Sequence, residues 1–140
     1  MKNRSLLFAL TLLMGVFTIS CNNDDNGGET AVPLVGKWNL NQVGILVNNE
    51  EVLIDAPQNE AGCNKDYLEL KVGNDVNEGD YDSTDSPCQL TVKTGSYSRT
   101  NNTLTTTIDG NTKTQDIMNL STTELKVKDD AGFITVYTRN

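Results

Sequence analysis

From Leu34 to the end of the chain, apolar and polar residues alternate in short runs separated by turn-forming residues. The run Tyr67–Val72, for example, places Leu68, Leu70 and Val72 on one face. A period of two residues is the pattern of a half-buried β-strand. Threonine is abundant in these runs, and β-branched side chains favour strands. The pattern contains no convincing helix and therefore predicts an all-β domain.

Turn signals divide this domain into about eight strands. Asn48-Asn49 lies between two apolar runs, and Asp109-Gly110 is a strong signal for a two-residue hairpin. The acidic segment Asp129-Asp130-Ala131-Gly132 marks a further turn. Several strands are predicted as separate units, among them Gly36–Val43, Ile45–Val47, Cys88–Thr94 and Ser96–Thr100.

Short connections make sequential antiparallel neighbours the expected arrangement. We therefore predict an up-and-down meander closed as a small barrel, because closure removes exposed sheet edges. A two-sheet β-sandwich is the alternative. A barrel of eight strands has an interior that side chains fill or that holds one small ligand. The inner wall is predicted to use Leu40, Leu68, Leu70, Val92, Tyr97, Leu104 and Ile108.

The charged and catalytic residue types exclude several functions. The chain has no histidine, which removes the commonest general base and metal ligand. Eleven basic residues against 19 acidic ones give a net charge of −8, which argues against nucleic acid as a partner. The sequence contains neither a Gly-x-Ser-x-Gly motif nor a phosphate-binding loop. We expect no enzymatic activity, no cofactor and no metal.

The first twenty residues have the pattern of an export signal. Lys2 and Arg4 precede the apolar run Leu6–Ile19, and small Ser20 then precedes Cys21. The run is shorter than the roughly 20 apolar residues of a membrane span. Ser20-Cys21 with the two residues before it resembles a bacterial lipobox. We therefore predict a signal peptide over residues 1–20 and a lipid on Cys21 that attaches the chain to the membrane.

A polar segment follows the predicted lipid site. Residues 21–33 are rich in asparagine, aspartate and glycine, which is typical of a flexible tether. The acidic pair Asp24-Asp25 resembles the surface-export signal of some gram-negative lipoproteins; a solvated linker is the alternative. The expected location is the outer membrane of a gram-negative bacterium, either at the cell surface or on the periplasmic side. Residues 34–140 form the folded domain.

Cys63 and Cys88 remain as a pair in an oxidising compartment. Both lie beside turn-forming residues, and 25 residue steps separate them. Two thiols without histidine make a poor zinc site. A disulfide is therefore predicted, with metal binding as the alternative.

The segment Asp75–Asp85 is unusually acidic, with Asp75, Glu78, Asp80, Asp82 and Asp85. It does not match an EF-hand loop, because Asp80 falls where glycine is required. We interpret it as a solvated, mobile insertion, with an irregular calcium site as the alternative. Asp82-Ser83-Thr84 also resembles an O-glycosylation acceptor of some gram-negative exported proteins.

Two segments carry a family resemblance. Leu34-Val35-Gly36-Lys37-Trp38 is similar to the Gly-x-Trp signature of lipocalins. Residues 120–127 and 133–139 are similar to the last two strands of small bacterial lipocalin-like lipoproteins. The resemblance implies that Trp38 closes one end of the barrel and that Arg139 lies across it. Both roles are structural, because a guanidinium over an indole gains a cation–π contact.

The resemblance also implies a function. A lipid-anchored lipocalin-like domain is expected to bind a small apolar or amphipathic ligand. The alternative is a non-enzymatic interaction module, either an accessory subunit or an inhibitor, with a filled barrel. A cavity inside the barrel favours the first interpretation, and a packed interior favours the second.

Overall fold

The computed structural model describes residues 33–139 of the chain. The predicted signal peptide, Cys21 and the tether up to residue 32 lie outside the described residues. Within these residues there are nine strands: β1 (Gly36–Val47), β2 (Glu50–Asp55), β3 (Tyr67–Leu70), β4 (Asp75–Asp82), β5 (Gln89–Thr100), β6 (Thr103–Ile108), β7 (Asn111–Leu120), β8 (Glu124–Asp129) and β9 (Phe133–Thr138). In this part of the chain, no helix is long and apolar enough to cross a membrane.

All neighbouring strands are antiparallel, in the order β2-β1-β3-β4-β5-β6-β7-β8-β9, and β9 also pairs with β1. Eight strands therefore close into a barrel, and β2 is attached to the outer part of β1 as one additional strand. The predicted all-β antiparallel barrel is confirmed, and the sandwich alternative is wrong.

Two predicted hairpin turns have the backbone geometry that their residues favour. Asn48 and Asn49 both have positive φ, at 53° and 65°, between β1 and β2. Asp109 and Gly110 have φ of 50° and 79° between β6 and β7. Positive φ at both central residues defines the type I′ turn, which matches the twist of the flanking strands.

Strand β1 is continuous through Gly44, although two strands were predicted there. A bulge between Leu40 and Gln42 shifts the pairing with β9, so the alternation changes phase within the strand. A Cβ atom on Gly44 would lie 2.0 Å from the carbonyl oxygen of Val52. Gly44 therefore allows the β1–β2 hairpin to fold sharply. It lies within one continuous strand and does not separate two strands.

The folded hairpin covers part of the outside of the barrel. Ile134 and Val136 face away from the core but are buried, and they lie in register with Gly44 and Gln42 of β1. Glu51 of β2 forms a 2.6 Å ion pair with Lys126 of β8. Since β2 and β8 are not sheet neighbours, this contact brings the hairpin over β9.

Strand β5 is also continuous, through Gly95, where two strands were predicted. A Cβ atom on Gly95 would lie 2.0 Å from the carbonyl oxygen of Thr107, so glycine permits close approach of β5 and β6. In one strand, Val92 and Tyr97 face opposite sides. Tyr97 packs on the core, and Val92 is 43% exposed on the outside. The prediction that Val92 lines the inner wall is wrong.

The acidic segment is a strand and not a mobile insertion. Strand β4 covers Asp75–Asp82 and pairs with both β3 and β5. Val76 is its one aliphatic residue, and it is fully buried. Glu78 and Asp80 lie on the same face toward the wide end of the barrel, which is not filled by the core. The prediction of a mobile insertion is wrong because the inward face of β4 borders unfilled space and so needs few apolar side chains.

Candidate functional site

One end of the barrel is closed by Trp38, which is fully buried. Its indole nitrogen donates a 2.8 Å hydrogen bond to the carbonyl of Leu34. The Arg139 guanidinium lies 3.9 Å from the centre of the Trp38 ring. The same guanidinium donates to the carbonyls of Thr122, Val35 and Pro33 at 2.8, 2.9 and 3.0 Å. Trp38 and Arg139 thus act as structural closure residues.

Gly36 is the residue that gives Arg139 its room. Its φ is 141°, and a Cβ atom there would lie 2.7 Å from the Nη1 atom of Arg139. A larger residue would strain the backbone and displace a guanidinium that three carbonyls hold in place. In this chain, the contact with Arg139 therefore explains sterically why the Gly-x-Trp signature has a glycine.

The core fills only this closed end. Its buried cluster contains Leu34, Trp38, Leu68, Leu70, Val76, Leu104, Ile117, Leu125 and Val127, with Tyr97, Ile108, Leu120 and Tyr137 packed against it. Three of the predicted inner-wall residues, Leu68, Leu70 and Leu104, belong to this buried cluster. Leu70 and Leu104 are packing residues, whereas Leu68 also borders the open end of the barrel.

Cys63 and Cys88 form a disulfide that joins the β2–β3 connection to the start of β5. Two hydrogen bonds accompany it. The backbone N–H of Ser83 donates to Glu60 at 2.5 Å, and the backbone N–H of Tyr81 donates to Asp66 at 2.8 Å. The β2–β3 connection is thereby fastened to the end of β4 and to the segment that follows it.

At the end opposite Trp38 the barrel opens as a cup. Two compartments lie side by side in it. The first, beside β1, β3 and β4, has a volume of about 270 Å³ and is called the outer cup; the second, beside β6 and β7 up to their turn, has about 200 Å³ and is called the inner hollow. The two parts share Leu68, Glu78, Lys93, Lys113 and Tyr137 as wall residues. Ligand sites in proteins usually range from about 300 to 1,000 Å³, so the cup suits a small molecule.

Many of the residues that line the cup are polar, which the sequence alternation did not predict. On β5, Lys93 has the same facing as Tyr97, so the inner position belongs to Lys93 and not to Val92. On β7, Lys113 and Gln115 face inward two residues apart, above buried Ile117. The inward facing of Lys113 and Gln115 could have been predicted from the core residue Ile117, because they precede it by four and two positions in the same strand.

Gln115 is the most unusual residue of the inner hollow. It is 5% exposed, and its amide nitrogen Nε2 is buried without a hydrogen-bond partner in the part of the chain that the structure describes. Thr106, on neighbouring β6, is also buried and lines the same hollow. A buried amide without a partner is destabilising, so this position needs a functional explanation.

Burial also shifts the pKa of three titratable groups of the wall, Asp66, Tyr67 and Tyr137. The pKa of Tyr137 is raised far above its ordinary value, first by burial and then by the nearby charge of Glu78. The Tyr137 hydroxyl therefore remains a hydrogen-bond donor at physiological pH. Burial also raises the pKa of Asp66, although the N–H of Tyr81 opposes this, and the charges of Asp80 and Glu60 raise it further.

Three carboxylates also line the outer cup, those of Asp66, Glu78 and Asp80. Across residues 33–139, however, no group of three or more histidine, cysteine, aspartate or glutamate side chains is arranged to hold a metal ion. The acidic wall is thus a feature of the cup's electrostatics and gives no support to the calcium alternative for the acidic segment.

An apolar face adjoins the mouth of the cup. Val43 lines the outer cup, and its register partner on β2 is Ile54. Next along the same face, Ile45 pairs with Val52 on one side and with Phe133 on the other. Apart from Val43, these residues are large hydrophobic side chains exposed to solvent. We call Ile45, Val52, Ile54 and Phe133 the apolar ramp.

These features define a class of protein: a closed antiparallel barrel with one plugged end and one open cup. The profile of a lipocalin-like domain family matches residues 34–127. The chain belongs to this lipocalin-like family. A search of curated proteins matched none.

Two solved structures share the fold. A lipocalin-like protein from Bacteroides uniformis ATCC 8492 is similar with a TM-score of 0.58 and 13% identity, over 76% of this chain and 98% of that one. An uncharacterized protein from Bacteroides eggerthii DSM 20697 is similar with a TM-score of 0.56 and 10% identity, over 77% of this chain and 100% of that one. At such identities the likeness concerns the fold alone.

Proposed function

We propose that this domain binds a small amphipathic molecule in its cup and carries out no catalysis. The observation that carries the proposal is the unfilled end of the barrel, a cavity of about 270 Å³ opposite the Trp38 plug. A filled barrel acting through its surface alone would leave this space unexplained. The cup therefore favours the binding module over the accessory subunit or inhibitor.

The wall indicates the character of the ligand. Its inner part has polar groups, while Leu40, Val43 and Leu68 supply apolar surface and the apolar ramp continues beyond the mouth. A molecule with one polar and one apolar end satisfies both parts of this wall. A purely apolar ligand would leave the polar groups of the hollow without partners, which costs free energy.

The test is binding of the neutral fluorescent probe N-phenyl-1-naphthylamine, with native mass spectrometry of the protein purified from its own host. We expect a fluorescence increase that saturates and a retained molecule of reproducible mass. Thr135 lines the outer cup, so Thr135→Trp fills it and should abolish both signals. Thr114→Trp is the matched control, because Thr114 is exposed and faces away from the cup, between the inward residues Lys113 and Gln115.

A bare polypeptide that does not bind the probe would refute the binding function. The proposed absence of catalysis is tested on the same sample. A ligand eluted after prolonged incubation should have the same mass as the ligand that was added, because the chain lacks histidine and the proposal assigns the wall residues to binding only.

We also propose that the domain is held at the outer membrane through a lipid on Cys21. The support is the lipobox-like junction at Cys21 together with the polar residues that follow it. Cys21→Ala should move the protein from the membrane fraction to the soluble fraction. The control Cys63→Ala/Cys88→Ala keeps Cys21 and should remain with the membrane. Protease treatment of intact cells then distinguishes surface exposure from a periplasmic location.

A further inference from the structure

We infer that the ligand carries a carboxylate or similar anionic head group, which binds in the inner hollow beside Gln115 while the apolar end leaves along the ramp. The inference rests on the proposed binding function and specifies the chemistry of the ligand. It assigns a head-group site to Gln115, Lys113 and Lys93, with Tyr137 and Thr106 as further donors.

The unpartnered amide of Gln115 favours a head group that accepts hydrogen bonds. Its Nε2 atom is a donor that finds no acceptor within the described residues, at 5% exposure. An acceptor oxygen from a ligand would satisfy it. An ammonium head group has only donors, so it would leave this nitrogen unpaired.

Two lysines surround the same space. Lys93 and Lys113 line both the outer cup and the inner hollow. Within residues 33–139, neither ammonium group lies within 4.0 Å of a carboxylate. This holds even though Glu78 lies directly across from Lys93 in the β4–β5 register. Both lysines are therefore available to a ligand, in a chain whose net charge is −8.

The carboxylates of the cup are placed differently. Asp66 and Asp80 line only the outer cup. In the hollow, the negative charges of Glu78 and Asp109 offset the positive charges of the two lysines. The preference for one kind of head group then depends on the uncharged hydrogen-bond donors. Those donors are the Gln115 amide, the Thr106 hydroxyl and the Tyr137 hydroxyl. An anion gains from all of them, whereas a cation would leave the Gln115 amide unpaired.

The apolar end of the ligand has a continuous path out of the cup. Val43 lines the outer cup and lies in register with Ile54. Ile45, Val52 and Phe133 continue the same face beyond it. A chain of several methylene groups leaving the hollow would cover part of this exposed apolar surface, which is favourable.

The test compares octanoate, 1-octanol and octylammonium, which share one chain length and differ in head group. Each competes with N-phenyl-1-naphthylamine on the full mature chain. We expect octanoate to bind at least tenfold more tightly than either of the others, since a hydrogen bond to a charged group corresponds to about tenfold or more in affinity. Octylammonium should be the weakest.

Variants then locate the head group. Lys113→Met should weaken octanoate by about tenfold and leave octanol within twofold. Gln115→Leu should also weaken octanoate by about tenfold, and octanol by a smaller factor, because a hydroxyl oxygen accepts a weaker hydrogen bond from the amide than a carboxylate does. Gln115→Leu should also raise the Tm of the ligand-free protein, so weak binding cannot come from misfolding. Lys128→Met is the matched control, because Lys128 lies on β8 next to inward-facing Val127 and faces the outside. It should leave all three affinities unchanged.

The outcomes separate the two proposals. If neither the probe nor any octyl compound binds, the binding function itself fails. If octanol or octylammonium displaces the probe as well as octanoate does, the cup binds ligands but the anionic head-group site is wrong. The same conclusion follows if Gln115→Leu weakens all three compounds equally.

Discussion

The Arg139 guanidinium lies 3.9 Å above the ring of Trp38 and joins the two ends of the domain. It donates to Pro33 and Val35 just before β1, and to Thr122 just before β8. One planar side chain thus satisfies three carbonyls and covers an indole. Such geometry suits arginine and not lysine, whose single ammonium group cannot reach three carbonyls in this arrangement.

Arg139→Ala should lower the free energy of unfolding by about 2–4 kcal/mol, because it removes a cation–π contact and charge-assisted hydrogen bonds. Arg139→Lys should recover less than half of this loss. Urea denaturation followed by Trp38 fluorescence measures both values, since Trp38 is the only tryptophan. Equal stability of wild type and Arg139→Ala would contradict the closure role.

Gly36→Ala should destabilise the domain through two separable effects: positive φ and contact with Arg139. The control Gly132→Ala has only the first, because Gly132 has a φ of 88° and no atom within 4 Å of an added Cβ. We expect about 1 kcal/mol from the backbone in both variants, with a larger total for Gly36→Ala. In an Arg139→Ala background the difference between the two should shrink. An unchanged difference would mean that Arg139 does not restrict Gly36.

The Cys63–Cys88 disulfide should contribute about 3.5 kcal/mol, from the chain-entropy model for a separation of 25 residues. The double variant Cys63→Ser/Cys88→Ser should lose this amount in urea denaturation. Adding a reductant should lower the Tm of the wild type and leave the variant unchanged. A wild type that gains no mass on reduction would show that the bond does not form in solution.

Stability should fall in alkaline solution because of Tyr137. Its pKa in the folded state is raised above the ordinary value of 10.0 by burial, with Glu78 adding to the effect. Above pH 10 the unfolded chain releases this proton while the folded chain keeps it. The free energy of unfolding then decreases by about 1.4 kcal/mol per pH unit.

The alkaline effect is checked with Tyr137→Phe, which removes the titrating group. Urea denaturation at pH 9 and at pH 11 should show a smaller loss for this variant than for the wild type. The pKa of Tyr67 is raised by the same main cause, burial, so Tyr67→Phe should reduce part of the loss as well. Identical pH profiles for all three proteins would contradict the role of burial.

The apolar ramp should matter for binding and not for stability. Ile54 and Val52 are 58% and 50% exposed, so Ile54→Thr should change the free energy of unfolding by less than about 0.5 kcal/mol. It should weaken octanoate about fourfold, because each ligand methylene left in water instead of on the ramp costs roughly 0.8 kcal/mol. Leu90→Thr, exposed on β5 beside outward-facing Val92, is the control and should leave the affinity unchanged.

The sequence predicts well the parts of this fold that depend on local alternation and turn chemistry. The closed meander, the turn at Asp109-Gly110 and the disulfide between Cys63 and Cys88 are all present. These features depend on residues that are close in sequence or on the small number of cysteines. Local physics therefore specifies them.

The wrong predictions come from long-range contacts. Gly44 and Gly95 look like strand breaks in the sequence, whereas they permit close approach of Val52 and Thr107. Strand β4 looks like a loop because its inward residues Glu78 and Asp80 face an unfilled cup. Hydrophobic patterning assumes a filled interior on the inward face. It therefore fails where the interior has room for a ligand.

The polar wall was missed for the same reason. Lys93 and Lys113 alternate with outward residues just as core residues would, but a search for apolar periodicity passes over them. Counting the alternation backward from partly buried Tyr97 and buried Ile117 places both lysines inside. A structure was needed to show that the space around them is open.

The position of Pro33 has a consequence for any protein attached upstream of it. Pro33 accepts a hydrogen bond from Arg139 at the plugged end, so the polypeptide enters the barrel at the pole opposite the cup. A partner, support or membrane joined through the amino terminus would attach on the side of the closed, Trp38 end of the barrel. The opening would then lie at the pole far from the attachment point, where molecules from the surrounding fluid can enter.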